Sequence, residues 1–325
     1  MRFKRLVLNA FFASLSCSTG AFGEECPDWL ETDFWKSAEP EEVHSCLQAG
    51  RSLFERTDDG ETPLHLSVAA ASPDTVLELL RSGADVSLTT TDGLTPLHVA
   101  ARDTIHGTVI SYLLVYGSEV DKRIPPDLCY AGTCAETALH LAADLRNAAP
   151  LLAVLLAGGA DPNADDSAGR EPLQRAVVGA GLPEIDVLLK AGAAIDEKDF
   201  EGNTALHVVP RNKTNELFVA QRLIAAGADV DAQRDDEVTP LIAVAYYTTD
   251  PNVFAFFLAQ SDDPCHASAT ETTALTGHDF NPALTKDEAY WSLHEQCSQD
   301  SSGYSNSPRP RSCYWSWSAR RVSTS

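Results

Sequence analysis

The chain has 325 residues, of which 44% are hydrophobic and 22% are charged, and its formal net charge at pH 7 is −23. This composition provides enough apolar material for a continuous core, which excludes a chain that is disordered throughout. The negative charge repels phosphate backbones and anionic lipid head groups, so it argues against nucleic acid and membrane surfaces as partners.

Residues 1–23 predict a cleaved secretory signal peptide. A basic start is followed by an apolar run over 6–15 and by small residues that lead to a cleavage site near Gly23. The run is much shorter than the roughly 20 residues that cross a bilayer as a helix, so we expect no membrane insertion. We therefore predict a periplasmic or secreted protein, and a bacterial source.

Residues 58–297 contain a recurring four-residue signature, Thr-Pro/Ala-Leu-His. Full copies begin at Thr62, Thr95, Thr137 and Thr204, and degenerate copies begin at Glu171, Thr239 and Thr273. The threonine is a helix cap, and proline after it suits the first helical turn. Apolar residues at helical spacing follow, and a second helix ends at glycine. Each unit is therefore helix, turn, helix and hairpin loop.

Both ends of the array depart from this unit. Residues 24–57 contain a shortened version without the hairpin, which we interpret as an N-terminal capping half-repeat. The segment from Glu288 to Cys297 predicts a C-terminal capping helix. Residues 298–325 are rich in serine and are predicted to be disordered.

The signature and its period of about 33 residues resemble the ankyrin repeat. The resemblance implies an all-α repeat solenoid of about six stacked helix-turn-helix repeats with hairpin loops. It also implies that the signature histidine makes structural hydrogen bonds. Partners of the family bind the hairpin tips, here called the fingers, and the concave face of the inner helices, here called the palm.

Transferring these family positions to the chain gives a set of partner-binding candidates. Two lie on a finger, Phe200 and Glu201, and six lie on the palm: Arg102, Asp103, Asp144, Arg211, Tyr246 and Tyr247. Aromatic residues and arginine are enriched where binding energy concentrates, which favours this face.

An insertion between Gly117 and Thr137 lengthens one finger by about nine residues relative to the usual period. Its candidate contacts are Ile124, Leu128 and Tyr130. A disulfide between Cys129 and Cys134 would brace this loop, and a braced loop loses less entropy when a partner immobilises it. The alternative is a tolerated surface insertion, because loops lengthen at little cost.

The cysteines of an exported chain are expected to form disulfide bonds. Neighbours along a solenoid are close in space, which favours the pairs Cys26–Cys46, Cys129–Cys134 and Cys265–Cys297 and leaves Cys313 over. No zinc-site spacing accompanies them, so we predict no metal and no cofactor.

We therefore predict a monomer that binds another protein. A basic partner surface would suit the acidic body; the alternative is that the negative charge only keeps the protein soluble. One alternative is a structural or divalent-cation-binding envelope protein that uses the acidic finger tips, although no calcium-loop pattern is present. The second alternative is an enzyme, but no activated nucleophile or phosphate-binding loop occurs in the sequence. We predict that the chain is not an enzyme.

Overall fold

The computed structural model describes residues 26, 29–103, 106–128, 135–212 and 214–300. The predicted signal peptide and the last 25 residues of the predicted tail lie outside these ranges, as do Cys129, Tyr130, Cys134 and Cys313. Over the described ranges the chain is helical and contains no β-strand. None of the helices there is long and apolar enough to cross a membrane.

The helices form a stack of pairs, each with an inner and an outer member. The first pair is α1 (Thr32–Trp35) and α2 (Pro40–Gln48). The inner helices are α3 (Pro63–Ala70), α5 (Pro96–Asp103), α7 (Ala138–Ala143), α9 (Pro172–Gly179), α12 (Pro240–Tyr247) and α14 (Ala274–Phe280). The outer helices are α4 (Pro73–Arg81), α6 (Gly107–Val115), α8 (Ala149–Ala157), α10 (Leu182–Lys190), α11 (Glu216–Ala225), α13 (Pro251–Gln260) and α15 (Glu288–Asp300). Successive inner helices pack on one another, which confirms the predicted solenoid.

The recurring signature starts the inner helices as the sequence predicts. Thr62 caps α3, with Pro63 in the first turn, and Thr239 caps α12 in the same way. Alanines such as Ala100 and Ala142 are fully buried between inner helices. Their small side chains allow the helices to approach closely, so the neighbouring units share one continuous core.

Aromatic packing and cysteine pairs lie at the two ends of the stack. At the N-terminal end the buried Trp35 indole donates a hydrogen bond of 2.7 Å to the carbonyl of Trp29. Cys26 and Cys46 are within disulfide distance there, with a Cα separation of 5.0 Å. Near the other end, Cys265 and Cys297 have a Cα separation of 5.2 Å. The helix predicted as a cap, α15, packs on α13 and α14 as the outer member of the last pair.

One repeat lacks its inner α-helix because proline interrupts it. Pro210 follows Thr204 by six residues, where its ring would clash with the carbonyl four residues earlier and where it has no N–H to donate. The backbone instead makes i→i−3 hydrogen bonds, including Arg211 N to Val208 O at 3.0 Å. A 3-10 turn, Val209–Arg211, takes the place of the helix, and the concave face opens at this point.

Candidate binding face

The fingers are tight turns that stack through their own backbone hydrogen bonds. Within one finger, Asp199 N donates to Asn203 O at 3.0 Å, and between two fingers Phe200 N donates to Ala168 O at 2.9 Å. Gly169 has a φ of +73°, and a Cβ atom there would lie 2.4 Å from the Phe200 ring. Phe200 therefore lies over a glycine of the preceding finger, yet its side chain stays 72% exposed.

The signature histidines join each inner helix to the next finger. In the first unit, His65 Nδ1 accepts from Thr62 N at 3.2 Å, so Nε2 donates to Leu94 O at 3.1 Å. His98, His140 and His207 repeat this arrangement. Burial lowers the pKa of His65, His98 and His207 to about 4. These histidines are therefore neutral structural groups, as the resemblance implies.

The palm between α7 and α9 is closed by a buried ion cluster, which we call the Arg175 cluster. Arg175 forms ion pairs with Asp144 at 3.1 Å, with Asp166 at 3.0 Å and with Glu136. Arg170 also binds Asp166, at 2.9 Å. The Glu136 and Asp166 side chains are almost completely buried. Because the charges are paired within the fold, this part of the palm offers few free groups to a partner.

The palm between the 3-10 turn and α12 contains an open cleft of about 530 Å³, which we call the Pro210 cleft. Its lining combines two arginines, one carboxylate, one exposed tyrosine and apolar walls: Glu201, Asn203, His207, Pro210, Arg211, Arg234, Ala243 and Tyr247. The cleft lies where the missing inner helix would have filled the concave face. It brings Glu201, Arg211 and Tyr247 together, all of which the sequence predicted as contacts.

The other predicted palm residues are more engaged than the sequence indicated. Arg102 and Asp103 bind each other through two hydrogen bonds of 2.9 and 2.7 Å. Burial raises the pKa of Asp144 to about 6, although Arg175 binds it. The ring of Tyr246 packs over Gly277 of α14, where a Cβ atom would lie 2.6 Å from it. Tyr247, in contrast, is 71% exposed.

The prediction that Ile124 contacts a partner from the inserted finger is wrong. Ile124 is only 4% exposed, because its backbone pairs with Glu136 O at 3.0 Å and with Ala135 N at 3.1 Å. This pairing turns the side chain inward at the base of the finger. Leu128 remains partly exposed and packs near Gly93 of the preceding finger. Tyr130 and the Cys129–Cys134 pair lie outside the described residues.

Sequence reasoning missed two residues that shape the cleft, Arg234 and Pro210. Asn203 accepts from Arg234 at 3.1 Å and donates to Asp199 at 2.9 Å, so these side chains form the base of the finger. Pro210 creates the opening. The signal for Pro210 was present in the sequence, because proline in the interior of a helical unit indicates a break.

Some acidic residues of the finger tips accept hydrogen bonds within the fold. Asp166 accepts from Ala168 N at 2.8 Å, and Asp199 accepts from Glu201 N at 2.9 Å. Within the ranges that the structure covers, no group of three or more His, Cys, Asp or Glu side chains is placed to hold a metal ion.

Comparison with known proteins identifies the repeats. The family model for ankyrin repeats matches three overlapping stretches, 38–124, 64–166 and 139–234. The crystal structure of the ankyrin repeat domain of Bcl-3, described as a unique member of the IkappaB protein family, superposes with a TM-score of 0.58 and 28% identity. That match covers 73% of this chain and 100% of the Bcl-3 chain.

Human proteins match shorter parts of the chain. Human inversin is 34% identical over 115 residues, which are 35% of this chain and 11% of inversin. Human neurogenic locus notch homolog protein 4 is 41% identical over 96 residues, which are 29% of this chain and 5% of that protein. The chain therefore spans only a small part of these relatives. They are mammalian and give no support to the predicted bacterial source, and no match points to catalysis.

Proposed function

We propose, because the chain belongs to the ankyrin-repeat family, that it is an exported module whose fingers and palm bind one protein partner. Ankyrin repeats generally mediate protein–protein interaction, and the family membership supports that part of the proposal. The finer part, which concerns where the partner binds and where the protein works, rests on the residues of this chain.

The exposed side chains around the Pro210 cleft carry the assignment of the binding face. Phe200 is exposed on a finger, while Tyr247 is exposed on the palm and lines the Pro210 cleft together with Arg211. Aromatic and arginine side chains contribute most to protein interfaces when a partner covers them. Phe200, Tyr247 and Arg211 are exposed on one face, and this grouping supports burial by a partner.

A crosslinking pull-down with matched surface variants tests this face. The double variant Phe200→Ser, Tyr247→Ala removes two exposed rings from the fingers and palm. The control Phe218→Ser removes a ring that is 59% exposed on the outer helix α11. We expect a partner captured by the wild type and by Phe218→Ser to be lost with the double variant. Equal capture by all three proteins would place the interface elsewhere.

Export is supported by the N-terminal pattern and by the cysteine pairs. Cys26–Cys46 and Cys265–Cys297 both have the spacing of disulfides, which persist in oxidising compartments. Mass spectrometry of the native protein tests both points. We expect a mature N-terminus near Glu24 and no free thiol at these four positions. Free thiols together with an intact leader would indicate a reducing compartment.

A further inference from the structure

We propose that the Pro210 cleft receives one acidic side chain, aspartate or glutamate, of the bound partner, and that Arg211 and Tyr247 hold its carboxylate. This inference rests on the proposed function, since it concerns the same face. It adds the type of partner residue that enters the cleft, here called the anchor. An acidic anchor is not what the net negative charge of this protein alone would suggest.

The first argument is a comparison of the palm arginines. Among the described inner helices and the 3-10 turn, the arginines are Arg102, Arg175 and Arg211. Arg102 is held by Asp103 through two hydrogen bonds of 2.9 and 2.7 Å, and Arg175 is held within its cluster. The ion-pair partner of Arg211, Glu201, is 3.9 Å away, which is too far for a hydrogen bond. Of these three arginines in the described palm, only Arg211 therefore has a guanidinium available to a ligand.

The remaining polar side chains of the cleft are committed to the fold. Asn203 binds Asp199 and Arg234, Arg234 also binds Asp236 at 3.1 Å, and His207 binds Thr204 and the carbonyl of Val238. Among the described residues, neither the Arg211 guanidinium nor the Tyr247 hydroxyl makes a side-chain hydrogen bond within the fold. The guanidinium can only donate hydrogen bonds and the hydroxyl can donate one, so the cleft presents both groups to an acceptor on a ligand.

A carboxylate on a short apolar stem suits these groups. The planar guanidinium donates two parallel hydrogen bonds to a carboxylate, a geometry that lysine cannot reproduce. Pro210 and Ala243 provide apolar walls for the methylene groups of an aspartate or glutamate. The volume of about 530 Å³ admits such a side chain together with part of its backbone.

The charge around the cleft restricts the residues that flank this anchor. Glu201 lies at the rim, and the adjacent finger carries Asp235, Asp236 and Glu237. A second acidic group beside the anchor would be repelled, whereas lysine or arginine would be attracted. The partner segment is therefore a basic stretch that contains a single acidic residue. The acidic fingers favour basic residues on either side of the anchor, and Arg211 favours an acidic residue as the anchor itself.

A random peptide display library, with peptides of about twelve residues, tests this inference on the full mature chain. We expect the wild type to retain basic peptides with one enriched Asp or Glu position. In a retained peptide, Glu→Gln at that position should weaken binding about tenfold, the usual effect of losing a charge-assisted hydrogen-bond pair. Arg211→Glu should reverse the preference, so that Lys or Arg replaces the acidic residue. A variant that merely unfolds would not produce this reversal.

Arg81→Glu is the control, because Arg81 is an exposed arginine on the outer helix α4 and belongs to neither the fingers nor the palm. It should keep the acidic preference. Two results would contradict the acidic anchor but leave the proposed binding face intact. One is retention of peptides that require Phe200 but show no enriched acidic position. The other is an acidic preference that persists in Arg211→Glu. Retention that depends on none of the finger or palm residues, or no retention at all, would contradict both proposals.

Discussion

The Arg175 cluster and the Pro210 cleft lie in neighbouring repeats on the same concave face, yet they use arginine in opposite ways. Arg175 is 12% exposed and is surrounded by Glu136, Asp144 and Asp166. Arg211 is 53% exposed and has one distant carboxylate neighbour. In the first case the guanidinium compensates charges that the fold itself buries. In the second the fold leaves the guanidinium available.

The difference originates in the backbone of the inner helices. The α9 helix is intact, so it packs on α7 and brings Arg175 against Glu136 and Asp144, which flank α7, and against Asp166 of the preceding finger. In the next repeat Pro210 replaces the helix by a 3-10 turn, and Arg211 faces an opening. The presence of one proline therefore distinguishes a repeat whose arginine stabilises the fold from a repeat whose arginine is available to a partner. The following predictions test that distinction, beginning with the largest effect.

Removing Arg175 should destabilise the protein strongly. Arg175→Met would leave Glu136 and part of Asp166 as buried carboxylates without their partner, and breaking a buried pair in this way costs about 3–5 kcal/mol. The free energy of unfolding, measured by urea denaturation at pH 7, gives the result. Arg102→Met is the control and should cost less than about 1 kcal/mol, because its pair is exposed. Equal effects would mean that the Arg175 cluster contributes no more than a surface ion pair.

The repeat that contains Arg175 should become less stable at high pH because of Glu171. Burial and neighbouring acidic groups raise the pKa of Glu171 to about 7, from an ordinary value of 4.5. The folded state therefore holds this proton more tightly, and the stability it contributes is lost as pH rises through about 7. Glu171→Gln keeps an acceptor for the helix cap and removes the charge. We expect it to stabilise the protein by about 2 kcal/mol at pH 8, a value reduced for solvent screening of the carboxyl, and by much less at pH 5.

Glu171→Asp provides the corresponding control, because it keeps the charge at the same position. Its unfolding free energy should fall with rising pH at least as steeply as that of the wild type. If Glu171→Gln shows the wild-type pH dependence, the carboxyl is not protonated in the folded protein and the raised pKa is contradicted.

The repeat that contains Arg211 should respond to pH in the opposite direction because of His207. Its pKa is lowered from 6.5 to about 4, so the unfolded chain binds a proton that the folded chain does not. The stability is present above pH 6.5 and is lost as pH falls toward 4. The wild type should lose unfolding free energy between pH 7 and pH 5, and His207→Gln should reduce that loss by about 2 kcal/mol.

The preceding repeat allows the reverse substitution as a matched test. Gln174 occupies the histidine position in the preceding repeat and donates to Asn203 O at 2.6 Å, as His207 donates to Val238 O at 2.9 Å. Gln174→His should therefore add a pH-dependent loss of similar size. If neither exchange changes the slope of unfolding free energy against pH between 5 and 7, the histidine bridge is not the source of acid sensitivity.

The fold was predictable because its signals are local. Thr62 and Pro63 start a helix through capping and backbone geometry, and the pattern repeats often enough to establish the stacking. The Arg175 cluster was not predictable, because its carboxylates come from separate segments and acidic residues are common throughout this chain. Ile124 was misjudged for a related reason. Its orientation depends on backbone pairing with Glu136, which the loop sequence does not reveal.

The smallest predicted effect is the one that connects the cleft to function. Arg211→Ala should change the unfolding free energy by less than about 0.5 kcal/mol, because an exposed arginine without a hydrogen bond within the described fold contributes little to stability. The same variant should lose the acidic anchor of a bound peptide. Urea denaturation and peptide binding, measured on one preparation, separate the two properties. A large loss of stability would show that Arg211 supports the fold as Arg175 does, and the contrast between the two repeats would then fail.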